Sequence, residues 1–574
     1  MTVYTTRLRP ASIALAVSLT VVLVSAGDDL VLVHPPATAN PNPPPFSNVA
    51  PNILPSNFSL QEIANGYDAL ENPSGVITTF GFLNDNADQS KKTRTEPDEN
   101  TYLRFHHNPG GPDVSFDYGR QFLFQGHENG GSKAYITRIN LDVDRRDPHR
   151  ITLLTPVDTS GNTGFSSIDG STWNPFTERL LFTEERGGSP SLDASGHVVS
   201  APSSGRILEV TPDWPPAIRT LECIVGKGGW EGIHPDDKGN LWLVEDTGGI
   251  TLAINSVDQG DASKRVTKQP NSFIYRFAPV NHLDLGQGGT LYALRVTVSG
   301  TPIVFHANDP RGDTFTSPQQ AMLREPHTSW PADWVTVHTS GPYVNASACA
   351  AAGFDANAEA KKAGATPLKR PENGQFLPAS HFNTFFFDET GDTDARAGQD
   401  PTVGAALAAR GAWGSIFRVD FPWGNPVGAI RIVVSGSASQ NSFDNLAFGP
   451  GEALFGAEDR GDTLHDQLQI LDSIWAYDAV DHDRRPRRFL ALGRDPLSAP
   501  TGQEDNEPTG LHISDGSPSP FDLLGTRWPA IGSGEGVKEE KDEDENGNRR
   551  FRWFVSEQHG ENHVYEIRHH NQER

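Results

Sequence analysis

Apolar segments that end in acidic residues and glycine recur along this chain at intervals typical of a structural repeat. In the segment LWLVEDTGG, residues 241–249, an apolar run ends in Glu245 and Asp246 and then in a pair of glycines. With this one included, six such segments occupy residues 122–131, 180–188, 241–249, 385–392, 454–462 and 554–561. Several follow a turn rich in proline or glycine, which predicts that each begins a unit of antiparallel sheet.

Each of these segments is followed by one in which apolar and polar residues alternate, as in an outer strand with one solvated face. Examples are KAYITRINLD, GRILEVTPD, SFIYRFAPV, GSIFRVDFP, SIWAYDAVD and HVYEIRHH. Pairing the two kinds of segment gives about six sheets of roughly 50 to 70 residues. With 56 glycines and 44 prolines, the composition also favours short strands and turns. The pattern predicts an all-β fold, a roughly six-bladed β-propeller with loop insertions, one of them with helical character at 346–363.

The N-terminal region differs from the rest of the chain. Residues 1–26 have a basic start, an apolar run and a small-residue end, which predicts a signal peptide; the apolar run is short for the alternative, a membrane anchor. Residues 27–75 form a proline-rich leader, and 76–574 form the propeller domain. We therefore expect a secreted or periplasmic protein with no stable membrane anchor after signal removal.

The net charge of −26 argues against nucleic acid as a partner, because phosphate backbones would be repelled. Bound cations would reduce this charge. In an oxidising compartment the two cysteines, Cys223 and Cys349, could form one disulfide, although the sequence does not place them together. The oligomeric state is not indicated.

Strand ends that converge on a propeller axis would bring charges of one sign together. Such charges either point into solvent or bind cations, and carboxylate and amide oxygens without metal-binding cysteine or histidine spacing favour calcium. The residues expected to supply ligands lie at strand ends or just before predicted inner strands: Glu231, Glu245, Asp246, Glu372, Asn445, Glu458, Asp459 and Glu507.

The segments that carry these residues resemble successive motifs of the PhoX-type alkaline phosphatase family, a family of secreted propellers. The resemblance spans 167–560 in the motifs LLFTEE, GWEGIHPDDKGNLWLVEDT, KRPENGQF, DNLAFGPGEALFGAED, NEPTGLHISDG and SEQHGE. It implies a propeller that binds calcium and iron and hydrolyses small phosphomonoesters. Carried over by motif, Glu184, Glu231, Glu372 and Glu507 would be metal ligands, and Arg370 would hold the substrate phosphate.

One position departs from the family motif. Thr183 stands where the family has a cysteine, a soft ligand suited to iron, so calcium is expected and iron is in doubt. Two alternatives follow: a non-catalytic, calcium-stabilised secreted propeller or binding protein, and a calcium-dependent propeller esterase or lactonase. Fold alone does not separate them.

Overall fold

The structure is a computed structural model that describes residues 30–41, 50–82, 95–392, 406–422, 425–480, 485–494, 507–520, 523 and 551–570. The predicted signal peptide, 1–26, lies outside these residues. Within them, no helix has the length and apolar character needed to cross a membrane.

Four sheets of the described residues have four antiparallel strands each. The first contains β2 (Glu96–Arg104), β3 (Gln121–Glu128), β4 (Tyr135–Asn140) and β5 (Ile151–Leu153). The second contains β6 (Ile168–Asn174), β7 (Arg179–Glu184), β10 (Ile207–Val210) and β11 (Ile218–Thr220). Another contains β24 (Phe443–Phe448), β25 (Ala453–Glu458), β26 (Ser473–Asp478) and β27 (Arg487–Ala491). The last contains β28 (Pro508–Ser514), β29 (Arg552–Glu557), β30 (Val564–His569) and β1 (Phe58–Ala64). The all-β prediction is confirmed.

Between the second and third of these lies a ten-stranded sheet. One half contains β12 (Trp230–Pro235), β13 (Leu241–Glu245), β16 (Ile274–Pro279) and β17 (Gly289–Val298), with β18 (Thr301–Pro302) paired to β17. The other half contains β20 (Gly374–Phe376), β21 (Thr384–Glu389), β22 (Ser415–Asp420) and β23 (Gly428–Ser435). The long strand β19 (Trp330–Ser340) joins the halves by pairing with both β17 and β23.

The first strands of these units lie side by side in chain order around a central axis, giving a propeller-like arrangement. We call them the axial strands: β2, β6, β12, β20, β24 and β28. Because β28 also contacts β2, the ring is closed. Antiparallel pairing of β1 with β30 places an N-terminal strand in the same sheet as the C-terminal strand, which protects an edge that would otherwise be exposed.

The acid-ended segments are strands, as predicted, but their place in each sheet was predicted wrongly. They contain β3, β7, β13, β21, β25 and β29, each the second strand of its unit. Their apolar residues are buried on both sides, whereas the axial strands carry Gly, Asn and acidic residues and so lack a clear hydrophobic pattern. The alternating segments are the third strands.

The ordered fold also begins earlier than the boundary predicted at Val76. The strand β1 lies inside the predicted leader, where its residue Phe58 packs against Phe489 and Trp553. Asn40 donates hydrogen bonds to the backbone oxygens of Ala491 and Leu492. The proline-rich composition hid a strand that is stabilised only by contacts with the far end of the chain.

The insertion predicted to be helical contains two short helices, α2 (Ala346–Ala352) and α3 (Ala356–Ala363). Further helices include α1 (Pro318–Leu323) and α4 (Gly461–Leu468). Two-stranded ribbons are formed by β8 (Pro190–Leu192) with β9 (Val198–Ser200) and by β14 (Thr251–Ala253) with β15 (Arg265–Lys268). A disulfide joins Cys349 of α2 to Cys223, which lies in the segment between β11 and β12.

Apolar side chains fill the spaces between neighbouring sheets. They also fill the space between the two halves of the ten-stranded sheet, where Trp242 contacts Trp334, Phe376 and Phe385 at ring-centroid distances of 5.1, 5.2 and 5.0 Å. Aromatic pairs in these offset and edge-on arrangements stabilise beyond their buried area. This packing stabilises the arrangement of the sheets around the axis.

Candidate metal centre

Most axial strands are interrupted by a β-bulge near their first residues. The register shifts at Pro97/Asn100 in β2, Ile168/Ser171 in β6 and Trp230/Ile233 in β12, and similar shifts occur in β24 and β28. Asp98, Asp169 and Glu231 fall inside the first three bulges. A bulge leaves residues unpaired and redirects their side chains. The bulges therefore account for acidic side chains that meet at the axis.

Seven carboxylates form a continuous group at one end of the axis. Their oxygens make three sets in which all ligand atoms lie within 4.8 Å of one another: Asp98, Glu128 and Asp169; Asp169, Glu185 and Glu231; Glu231, Asp246 and Glu372. Asp169 and Glu231 are each shared by two sets. We call these seven residues the acidic cluster.

Burial and mutual repulsion make the ionised cluster unfavourable without cations. Burial raises the pKa of Glu372 to about 8, with a further contribution from Asp246 that outweighs Arg370. Burial raises the pKa of Asp98 to about 6, against hydrogen bonds from Thr509 and Gln558. Burial and neighbouring carboxylates also raise the pKa values of Asp169 and Glu231. Like charges in a desolvated site favour either protonation or a bound cation.

Arg370 forms ion pairs with two members of the acidic cluster. Its Nε lies 2.8 Å from Asp246 Oδ2, and its Nη2 lies 3.1 Å from Glu372 Oε1. Its side chain retains 17% exposure, whereas those of Asp246 and Glu372 retain 5% each. Arg370 thus connects the buried carboxylates to solvent.

The amide and the hydroxyl of Thr390 hold Arg370 and Glu372 in place. The backbone oxygen of Arg370 accepts a hydrogen bond from the Thr390 amide, and the Thr390 hydroxyl donates to Glu372. Thr390 follows directly on β21, at the strand end where other sheets carry acids.

Three units have two adjacent acidic residues at the end of their second strand, and the two side chains point in different directions. Glu184, Glu245 and Glu458 are the last residues of β7, β13 and β25, and the residues after them are Glu185, Asp246 and Asp459. Successive side chains of a strand face opposite sides. Glu185 and Asp246 accordingly belong to the acidic cluster, while the preceding acids bond elsewhere.

The first acids of these pairs bind groups inside their own units. Glu184 accepts a charged hydrogen bond from Arg206 Nε at 2.6 Å. Glu245 accepts hydrogen bonds from the Tyr275 hydroxyl and from Asn357 of α3, both at 3.0 Å. Glu458 pairs with Arg460 at 2.6 Å. The structure does not bring these three predicted ligands into the acidic cluster.

The remaining predicted ligands lie near the cluster on the side of β24 and β28. Burial raises the pKa values of Asp98, Glu372 and Glu507, and the negative charge of Asp459 adds to each of these shifts. Asn445 donates to Asp444 at 3.0 Å, and burial raises the pKa of Asp444. Among the predicted residues, Glu231, Asp246 and Glu372 are therefore in the cluster, and Asn445, Asp459 and Glu507 border it.

Sequence reasoning missed four members of the cluster: Asp98, Glu128, Asp169 and Glu185. A signal for one was present, because Asp169-Gly170 has the same acid-glycine pair as Glu231-Gly232. Gly170 is required, since a Cβ there would lie 2.3 Å from the Glu231 backbone oxygen. Glu185 was hidden because LLFTEE offers two adjacent glutamates without showing which faces the axis.

The donor set suits a hard divalent cation. Every member of the cluster offers carboxylate oxygen, and Asp169 Oδ1 and Asp246 Oδ1 are buried with no hydrogen-bond partner among the described residues. Calcium takes six to eight such oxygens. The hydroxyl of Thr183 donates to the Gly170 backbone oxygen at 3.4 Å. Because it is an oxygen atom and not sulfur, this position adds no soft ligand.

Comparisons with known proteins add a fold-level likeness only. No family model and no curated protein sequence matches the chain. Among solved structures, it is similar to that of Pseudomonas fluorescens PhoX in complex with vanadate, a transition state analogue. The TM-score is 0.46 and the identity 13%, over 93% of this chain and 98% of that chain. A likeness of this size does not establish membership of a family.

Proposed function

We propose that this protein is an exported, calcium-dependent hydrolase of small phosphomonoesters, built as a six-bladed propeller. The observation that carries the proposal is the pairing of Arg370 with Asp246 and Glu372 at the edge of a buried carboxylate cluster. Calcium in the cluster would reduce the negative charge that otherwise repels a phosphate. The order of motifs noted in the sequence supports the same substrate class.

Each part of the site has a distinct task under this proposal. The acidic cluster, with Asn445, Asp459 and Glu507 at its border, would hold calcium, which when bound offsets the charge of the transferring phosphoryl group. Arg370 would turn its guanidinium from the carboxylates to the phosphate oxygens, for which its fork of donors is suited. Thr390 would keep Glu372 oriented while Arg370 changes partners.

Iron is not part of this proposal. The cluster contains oxygen donors only, and the Thr183 hydroxyl is directed at a backbone oxygen. Thr183 also favours one second candidate, a non-catalytic propeller in which calcium has a structural role alone. No specific contact favours the esterase or lactonase alternative.

Hydrolysis of two chromogenic substrates tests the proposal. Purified mature protein is assayed with p-nitrophenyl phosphate and with p-nitrophenyl acetate, before and after calcium chelation, and its metal content is measured. Phosphate hydrolysis that is lost on chelation and restored by calcium supports the phosphatase. Acetate hydrolysis alone would indicate the esterase, and calcium binding without either activity would indicate the non-catalytic propeller.

A matched pair of arginine variants links the activity to the site. Arg370→Ala removes the proposed phosphate ligand. The control, Arg295→Ala, removes a half-exposed arginine of β17 that forms an ion pair with Asp333 of β19. Only the first variant should lose phosphatase activity. Equal activity in the two variants would contradict the proposed role of Arg370.

A further inference from the structure

The backbone of Arg370 has a conformation that is unusual for an arginine. Its φ of 53° lies in the left-handed region, where the Cβ of any residue other than glycine crowds the backbone. Such a conformation persists only where the surrounding contacts over-determine it, and it concentrates at functional sites. The contacts that hold this backbone are therefore of interest for the role of the side chain.

Hydrogen bonds to the turn after β21 fix the two peptide groups on either side of the Arg370 Cα atom. The Gly391 amide donates to the Lys369 backbone oxygen at 3.2 Å, and the Thr390 amide donates to the Arg370 backbone oxygen at 2.8 Å. The first of these oxygens belongs to the peptide group before Arg370 and the second to the one after it. Because both peptide planes are held, the φ and ψ angles of Arg370 are held as well.

Lys369 adds two charged contacts to the same turn. Its Nζ lies 2.8 Å from Asp392 Oδ2, and its amide donates to Glu389 Oε1 at 2.8 Å. The side chains of Lys369 and Asp392 are 1% and 0% exposed, so salt and water screen this ion pair little. The residue directly before Arg370 is thus held by its amide, its backbone oxygen and its side chain.

Both carboxylates of the turn are fixed in their own positions by distant parts of the chain. Glu389 forms a buried ion pair with Arg324, which follows α1 directly. Asp392 accepts hydrogen bonds from the Thr267 hydroxyl at 2.6 Å and from the Lys268 amide at 2.9 Å, both from β15. The turn therefore connects the backbone of Arg370 to α1 and to the ribbon of β14 and β15.

The side chains of Lys369 and Arg370 make contacts of different kinds. That of Lys369 is enclosed by protein, whereas that of Arg370 is 17% exposed and lies 2.8 Å from Asp246. With its backbone fixed, Arg370 can exchange this carboxylate for a phosphate by turning its side chain alone. Donors that are held in place before the reaction require no reorganisation during it.

We propose that Lys369 and Asp392 are positioning residues, whose buried ion pair holds Arg370 in the conformation that presents its guanidinium to the substrate phosphate. This inference rests on the proposed phosphatase function. Both side chains are enclosed by protein, so they act through Arg370 and do not touch the substrate themselves.

A paired substitution tests this role without leaving a buried charge unpaired, which would endanger folding. Lys369→Met with Asp392→Asn removes the ion pair but keeps side chains of similar size, and the new Asn Oδ1 can still accept from the Lys268 amide. We expect kcat/KM for p-nitrophenyl phosphate to fall by at least about 10-fold, because a small displacement of a catalytic group reduces the rate steeply. Full activity of this paired variant would overturn the proposal.

A matched control makes the same kind of change at another ion pair. Arg552 Nε and Glu566 Oε1 are 2.7 Å apart on the neighbouring strands β29 and β30. Arg552→Met with Glu566→Gln should keep the wild-type kcat/KM. A loss equal to that of the first pair would show a general effect of removing ion pairs and would also overturn the proposal.

Thr267→Val is a milder change for the case in which the paired variant does not fold. It removes a hydroxyl that accepts from Lys369 Nζ at 2.8 Å and donates to Asp392. We expect a smaller loss of kcat/KM in the same direction. A folded Thr267→Val variant with full activity would count against the positioning role.

Combination with Arg370→Ala separates positioning from a general loss of stability. If Lys369 and Asp392 act through Arg370, their paired substitution should cost no further activity in a protein that already lacks the guanidinium. A purely structural role would instead lower kcat/KM by the same factor with and without Arg370, which would contradict the proposal.

Hydrogen exchange and crystallography provide readouts that do not need phosphatase activity. In the paired variant of Lys369 and Asp392, the amides of Thr390 and Gly391 should exchange faster than in the wild type, and Arg370 should leave the left-handed region. Unchanged exchange together with an unchanged φ would overturn the inference. A wild-type protein without phosphatase activity would contradict the proposed function, and these two measurements would still decide whether the ion pair holds Arg370.

Discussion

Glu184 and Glu185 are adjacent in the chain, but their carboxylates lie in different environments. Glu184 is held by Arg206, whose Nε is 2.6 Å from Glu184 Oε2, while Glu185 is within 4.8 Å of ligand atoms of Asp169 and Glu231. The alternation of side chains along β7 separates the two. One acid therefore stabilises its sheet, and the next is available to a cation.

Removal of the charge should affect calcium binding at one of the two glutamates and folding stability at the other. Glu185→Gln should weaken calcium binding and phosphatase activity with little effect on the stability of the chelated protein. Glu184→Gln loses a charged hydrogen bond to Arg206 and should lower the free energy of unfolding by about 1.5–3 kcal/mol. Calcium calorimetry and urea unfolding in chelator measure the two effects; identical behaviour of both variants would contradict the assignment.

Replacement of Arg370 should reduce catalysis more than folding. Loss of one preorganised donor to a developing negative charge typically reduces kcat by about 10²–10³-fold, and we expect a loss of this order in Arg370→Ala. Arg370→Lys should recover only part of the activity, because an ammonium group lacks the planar fork. Steady-state kinetics with p-nitrophenyl phosphate provide the measurement; full activity in the lysine variant would show that charge alone suffices.

The calcium-free protein should become less stable as pH rises from about 4.5 to about 8. Burial raises the pKa values of Asp98 and Glu372 to about 6 and about 8, so the folded state keeps protons that the unfolded state has already released. Stability from such groups is complete below the unfolded pKa and is lost as pH rises through the folded pKa. Melting temperatures in chelator at pH 5 and pH 8 test this.

Calcium should offset that pH dependence. A cation that binds the ionised cluster competes with protons, so its stabilising effect should be larger at pH 8 than at pH 5. Glu372→Gln serves as a comparison, since it removes one of the titrating groups. A chelated wild-type protein that is equally stable at both pH values would be inconsistent with a crowded carboxylate cluster.

Removal of the disulfide should destabilise the insertion that contains α2 and α3. Cys223 and Cys349 are separated by 126 positions, and loss of a native disulfide typically costs about 2–5 kcal/mol. Because Asn357 of α3 bonds Glu245, the paired Cys223→Ser and Cys349→Ser variant should also expose this region to hydrogen exchange. Unchanged exchange in α3 would show that its packing does not depend on the bridge.

The sequence by itself determined the all-β class, because apolar runs and alternating segments specify strands through local side-chain periodicity. It also indicated the recurrent acidic ends and three residues of the cluster, Glu231, Asp246 and Glu372. These features depend on neighbours in the chain, so they can be recognised without tertiary contacts.

Only the tertiary structure decided which acids meet. The bulges at Asp98 and Asp169 redirect side chains by one position, and a shift of one residue exchanges the two faces of a strand. The same alternation sends Glu245 to Tyr275 and Asp246 to Arg370. Closure of β1 on β30 likewise arises from contacts between distant segments, which local patterns do not encode.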